Sequence, residues 1–143
     1  MRKGSGMERK LKVGVHRGAG PPPGYRWNVV LLDQAVREAR VFLSEDQYGH
    51  LSDQVRHLAE QVDPTHPAGL SVDAVEDFFE LREKGGPLGK LNVRLFFFLD
   101  KKRKRIVVIG SFKKENNGPT PMGAKITMRR RKRLYEEDAR AGF

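Results

Sequence analysis

The clearest pattern of apolar positions lies near the middle of the chain. Residues 92–99 (NVRLFFFL) and 105–112 (RIVVIGSF) are near-continuous apolar runs rich in aromatic and β-branched residues, separated by a polar stretch at 100–104. Runs of this length and composition predict two strands joined by a turn. Alternation puts Val93, Leu95, Phe97 and Leu99 on one face and Phe96 and Phe98 on the other. Both faces are apolar, so the sheet is expected to be covered, at least in part, on both sides.

Upstream, Tyr25 to Leu32 (YRWNVVLL) has strand composition, and Asp33 is placed to cap a helix over 34–43. Ser44 with Gln47 three residues later matches a capping box. The helix that follows carries Tyr48, Leu51, Val55, Leu58 and Val62 as a single stripe, and Asp63-Pro64 stops it. Residues 64–74 read as loop. Residues 75–83 (VEDFFELRE) are ambivalent: the acidic residues argue for helix, the paired Phe and the following Gly-Gly-Pro for strand. A strand is favoured because the two strands after it need a neighbour. The expected sheet is antiparallel over 75–83, 92–99 and 105–112, with 25–32 at its edge or beside 105–112. A last helix is predicted over 121–140, packing through Met122, Ile126 and Leu134, with residues 129–133 largely outward. The fold class is α+β.

Length and charge add to this picture. The 143 residues fit one domain over 25–143, preceded by a Gly/Pro-rich basic arm over 1–24 that cannot build a core. Met7, behind a Gly-Ser-Gly, is a second candidate start. The formal net charge is +10, and it is polarised: residues 84–135 hold 16 Lys/Arg against 2 Asp/Glu, whereas residues 33–83 hold 4 against 12. A basic half beside an acidic one predicts a polyanionic partner, nucleic acid first. The chain has no cysteine, which excludes disulfides, thiolate metal sites and cysteine catalysis. No apolar run approaches the roughly 20 residues of a membrane span, and no apolar core follows the basic start, so a cytoplasmic chain is expected.

Several residues are candidates for chemistry. Phe78, Glu80 and Arg82 share a strand face, and Arg94 opens the next strand among apolar neighbours. A charge in that setting must be satisfied, either by a bound anion or by a partner such as Glu80. Lys113 and Lys114 end the third strand, where they join Arg82 and Arg94 at one end of the sheet or are simply solvated. The hairpin tip Lys101, Lys102, Arg103, Lys104 and Arg105, and the helical run starting Arg129, Arg130, Arg131, read as phosphate-tracking surface. His50 and His57 share a helix face but lack a third ligand, so no metal is expected. GGPLGK precedes no helix and is not a nucleotide cradle. Tyr135, beside the basic run, either stacks on a base or packs within its helix.

Taken in order, Glu80-Leu81-Arg82, Val93-Arg94-Leu95, the turn at 100–104, the apolar run into Phe112-Lys113-Lys114, and Thr120-Pro121 resemble the RelE/ParE toxin superfamily, in its phage-type HigB-like branch. The resemblance spans about 25–137 and is specific over 79–121. It implies an N-terminal strand and helical hairpin packed on a small antiparallel sheet, with a C-terminal helix. The activity it implies is the toxin of a type II toxin–antitoxin pair. Such a toxin is a metal-independent, cofactor-free endoribonuclease that cuts translated mRNA at the ribosome, by 2′-hydroxyl attack on the adjacent phosphate. By position Arg82, Arg94, Lys113 and Lys114 would be catalytic, with Lys90 a further RNA contact. The implied partners are mRNA, the ribosome and a helix-turn-helix antitoxin. No Tyr or His occurs within the several residues after Phe112-Lys113-Lys114-Glu115, where an acid/base group is expected, which leaves Glu80, Glu115 or a lysine for that role. Two other readings stay open: a non-catalytic relative that inhibits a protein such as DNA gyrase, and a plain RNA-binding or ribosome-associated module.

Overall fold

The computed structural model describes residues 24–115 and 118–143; nearly all of the expected basic arm lies outside them. In chain order the elements are β1 (Asn28–Leu31), α1 (Asp33–Phe42), α2 (Glu45–Glu60), β2 (Ser71–Val75), β3 (Phe78–Lys84), a single 3-10 turn at Gly86–Leu88, β4 (Asn92–Asp100), β5 (Arg105–Lys113) and α3 (Met122–Arg140). The strands form one sheet in the order β1-β5-β4-β3-β2. β1 lies parallel to β5, and every other pair is antiparallel. The α+β class and the placing of the first strand beside 105–112 are therefore as expected.

The two-faced apolar pattern explains how the layers assemble. Val93, Leu95 and Phe97 join Ile106, Val108 and Leu81 in a core closed by Leu51, Val55 and Leu58 of α2. On the opposite face Phe96, Phe98, Val107 and Ile109 pack with Phe78 against Met128, Tyr135 and Ala139 of α3. A β-bulge interrupts the β4–β5 ladder: Phe96 faces Gly110, but Phe97 faces Val108. The extra residue re-aims the strand. The Met128 thioether of α3 lies over Gly110 of β5, in the space a Cβ there would take.

Local capping is partly as expected. Ser44 and Gln47 form the capping box, each side chain bonding the other's backbone amide. The N-cap of α1 is Leu32, not Asp33. Asp33 is instead the first helical residue, and its carboxylate accepts from Arg37 one turn on. Val62 lies beyond the end of α2 and is exposed, because the chain leaves the helix at Gln61.

Three expectations are corrected. Residues 75–83 are not one strand: Glu76, at φ 58°, turns the chain in a two-residue hairpin loop between β2 and β3. β2 falls in the stretch read as loop. It is an edge strand with mostly exposed side chains, so it needs no apolar alternation. The last helix packs through Met128, Tyr135 and Ala139, while Met122 and Ile126 are exposed. Lastly, Arg131 points inward. Past Val108, β5 has no β1 residue beside it, and side chains satisfy its backbone instead. Glu38 Oε1 accepts from the Ser111 amide, and Arg131 Nη1 donates to the Ile109 carbonyl while pairing with both Glu38 oxygens.

Candidate functional site: a basic groove at one end of the sheet

Strand register decides which cations meet. Arg82 and Arg94 sit directly opposite each other on β3 and β4, on the face that carries Phe78, Phe96 and Phe98. Glu80 and Asp73 are also cross-strand partners, one step along the same face. Arg94 is 1% exposed, and its Nη1 lies 3.4 Å from both Glu80 oxygens. The Arg82 Nε bridges Glu80 Oε2 at 3.1 Å and Asp73 Oδ2 at 2.8 Å. Thr120 closes the cluster, its hydroxyl donating to Glu80 Oε1 at 2.9 Å. Two guanidinium groups and two carboxylates thus neutralise one another. Contacts of 3.4 Å are long for a charged pair, and the buried Arg94 Nε has no acceptor.

Beside this cluster opens a groove of about 390 Å³ lined by Ser71, Arg82, Glu83, Lys84, Asn92 and Arg94. Lys84, Glu83 and Asn92 were not singled out in the sequence. Period-two alternation from Arg82 already puts Lys84 on the arginine face. Glu83 was hidden, because its partners come from a helix more than twenty residues upstream: His50 Nε2 lies 3.2 Å from Glu83 Oε1, and Gln54 Nε2 donates to both Glu83 oxygens at 3.3 Å. His57 goes elsewhere, to the Ala68 carbonyl.

The other expected site residues do not join the groove. Lys113 pairs with Val93, so the pleat sends it to the sheet face opposite Arg94. Lys114 follows the strand, its amide donating to the Asn92 carbonyl, and does not line the groove. Lys90 is exposed in the loop before β4.

The hairpin tip is at the far end of β4. Seven residues separate Arg94 from Lys101, roughly 23 Å at a strand's rise. Much of the tip is structural rather than free surface. Arg103 donates to Asp100 Oδ2 and to the Ala139 carbonyl, and Arg105 donates to the Tyr135 hydroxyl and the Phe143 carbonyl. Lys104 lies over the Trp27 ring, 4.2 Å from its centroid. Lys101 and Lys102 remain exposed. Tyr135 is buried and donates to Asp100 Oδ2 at 2.6 Å, so it packs rather than offering a stacking face. Burial pushes the Asp100 carboxyl up, but hydrogen bonds from the Tyr135 hydroxyl and from Arg103 outweigh it and hold the group below its ordinary value. Burial, reinforced by the hydrogen bond to Asp100, pushes the Tyr135 phenol up to about 12.

The basic run of α3 divides in the same way. Arg129 pairs with Glu76, Arg131 with Glu38 and Lys132 with Asp77. Arg130 and Arg133 are exposed and carry no ion pair among the described residues. Arg131, expected as an RNA contact, is a tie between α1, β5 and α3, because β5 needs its donors where β1 ends. No helix among the described residues is long and apolar enough to cross a membrane. Compared with known proteins, the chain matches no family model and no curated sequence.

Proposed function

We propose that the chain is a RelE/ParE-superfamily toxin of the HigB-like type, an endoribonuclease that cuts translated mRNA on the ribosome. The observation that carries this reading is the Arg82–Arg94 pair at the groove, with a buried Arg94 Nε that has no hydrogen-bond partner among the described residues. The element order supports it too: a strand and helical hairpin, an antiparallel sheet, then a C-terminal helix. Attack of a ribose 2′-hydroxyl on the next phosphate gathers negative charge on the phosphoryl oxygens, and fixed cations lower the energy of that state. Arg82, Lys84 and Arg94 would supply them at the groove. Lys101, Lys102, Arg130 and Arg133 would track the backbone of the RNA or meet the acidic side chains of a helix-turn-helix antitoxin. Binding to that antitoxin should weaken as salt rises.

Primer extension on mRNA in a reconstituted translation system tests the activity. Codon-phased cuts are expected from the wild-type chain. The Arg82→Gln/Lys84→Gln double variant alters part-exposed side chains and should fold, while cutting roughly a hundredfold more slowly. Undiminished cutting by that variant would remove the groove from the mechanism. Salt-dependent RNA binding with no cuts by the wild type would favour the binding-module reading.

A further inference from the structure

We infer that Glu83 is the proton acceptor of the groove, with His50 and Gln54 as its positioning residues. This rests on the ribonuclease reading above. The step requires a base for the 2′-hydroxyl proton; no Tyr or His occurs within the several residues after Phe112-Lys113-Lys114, and Tyr135 further on is buried against Asp100. The groove holds one carboxylate free of a guanidinium. Glu80 is buried between Arg82 and Arg94, and its oxygens are taken by those two guanidinium groups and the Thr120 hydroxyl. Glu83 also lines the groove, yet its recorded partners are an imidazole and an amide.

The surroundings give Glu83 a fixed aim. Its side chain is 11% exposed and that of His50 is 25% exposed, so both reach solvent at the wall without being loose on the surface. Gln54 touches both carboxylate oxygens, which fixes the plane of the group. An acceptor carboxylate requires the proton of a neutral His50 to sit on Nε2. The neighbouring charges are Arg82 and Lys84, on the opposite strand face, and Lys113, in the same cross-strand row but two strands away, roughly 10 Å off. Arg82, Lys84 and Glu83 nevertheless line the same groove, so cations could hold a phosphate there without occupying the carboxylate.

The step balances without a cofactor. The 2′-hydroxyl proton passes to a Glu83 oxygen as the 2′-oxygen forms its bond to phosphorus. The bond from phosphorus to the 5′-oxygen breaks, and that oxygen leaves with the electron pair and takes a proton from water. Glu83 returns its proton to solvent, leaving a 2′,3′-cyclic phosphate and a 5′-hydroxyl. His50 contacts the carboxylate directly, so removing the imidazole should alter how the rate depends on pH.

The test uses the full chain in the same translation assay, with RNA affinity and thermal unfolding measured alongside. Glu83→Gln should retain RNA binding while cutting a hundredfold or more slowly, the usual range for losing a general base. His50→Gln keeps the carboxylate, so it should lose a smaller factor and show a changed acid limb in its pH–rate profile. A Glu83→Gln variant that cuts at the wild-type rate overturns the assignment and leaves the ribonuclease reading standing. Wild-type protein that never cuts overturns both. Should Glu83→Gln fail to fold, His50→Gln decides: a pH–rate profile superimposable on the wild type would overturn the inference.

Discussion

Replacing Arg94 with alanine is expected to cost about 3–5 kcal/mol of folding stability, because it strands a buried carboxylate. Glu80 is 1% exposed, and with Arg94 gone it keeps, among the described residues, the Arg82 Nε and the Thr120 hydroxyl. The void left by a large buried side chain adds to the loss. Urea unfolding should show the midpoint fall sharply with little change in slope. Replacing both partners with apolar residues of similar volume, Arg94→Met with Glu80→Leu, should recover most of the stability. An unchanged midpoint for Arg94→Ala would show that Glu80 does not depend on its neighbour. The consequence for function is direct: inactivity of Arg94→Ala alone cannot assign a role in phosphate binding, which is why the activity test uses Arg82 and Lys84.

The second large effect is at the other end of the sheet. Asp100 accepts from the Tyr135 hydroxyl, the Arg103 amide and the Arg103 guanidinium, so Asp100→Ala leaves one buried and two part-buried donors unmet. A loss on the order of 3 kcal/mol is expected, and about 1–2 for Tyr135→Phe. The pH dependence follows from the directions of the two shifts. The folded Asp100 carboxyl titrates below its ordinary 3.8, so its contribution is complete above that value and is lost as pH falls toward the folded value. The folded Tyr135 phenol is raised from 10.0 to about 12, so its contribution is complete below 10 and is lost as pH climbs between the two. Asp100→Asn should therefore remove part of the acid limb of the stability curve, and Tyr135→Phe part of the alkaline limb. Superimposable limbs in variant and wild type would mean the network does not couple to folding.

Much of this was legible from apolar spacing. The two faces of β4 and the capping box of α2 follow from short-range patterns that the fold enforces. The misses share a cause: long-range pairing decided them. β2 is exposed and carries no periodic signal, so only its partner β3 defines it. Arg131 looks like any other residue of a basic run until the end of β1 leaves backbone groups of β5 that need it. Arg82 and Arg94 were recognisable as a pair, because cationic residues in apolar strands demand partners. Glu83 with His50 was not, since a lone histidine on an amphipathic helix signals nothing until the helix is placed against the sheet.

The ion pairs that lock α3 and the hairpin tip in place also change what the formal charge means in solution. A polyanion gains affinity by releasing condensed counterions, and a cation already held by a protein carboxylate or carbonyl contributes little to that release. In the basic half, Lys84, Lys90, Lys101, Lys102, Lys113, Arg130 and Arg133 are exposed and form no ion pair among the described residues. If all seven met single-stranded phosphates, log K would fall with log salt at a slope of about −5, whereas all 16 cations of that half would give about −11. Internal neutralisation thus leaves a protein of high formal charge with the grip of a moderately charged one, able to let go of nucleic acid at physiological ionic strength.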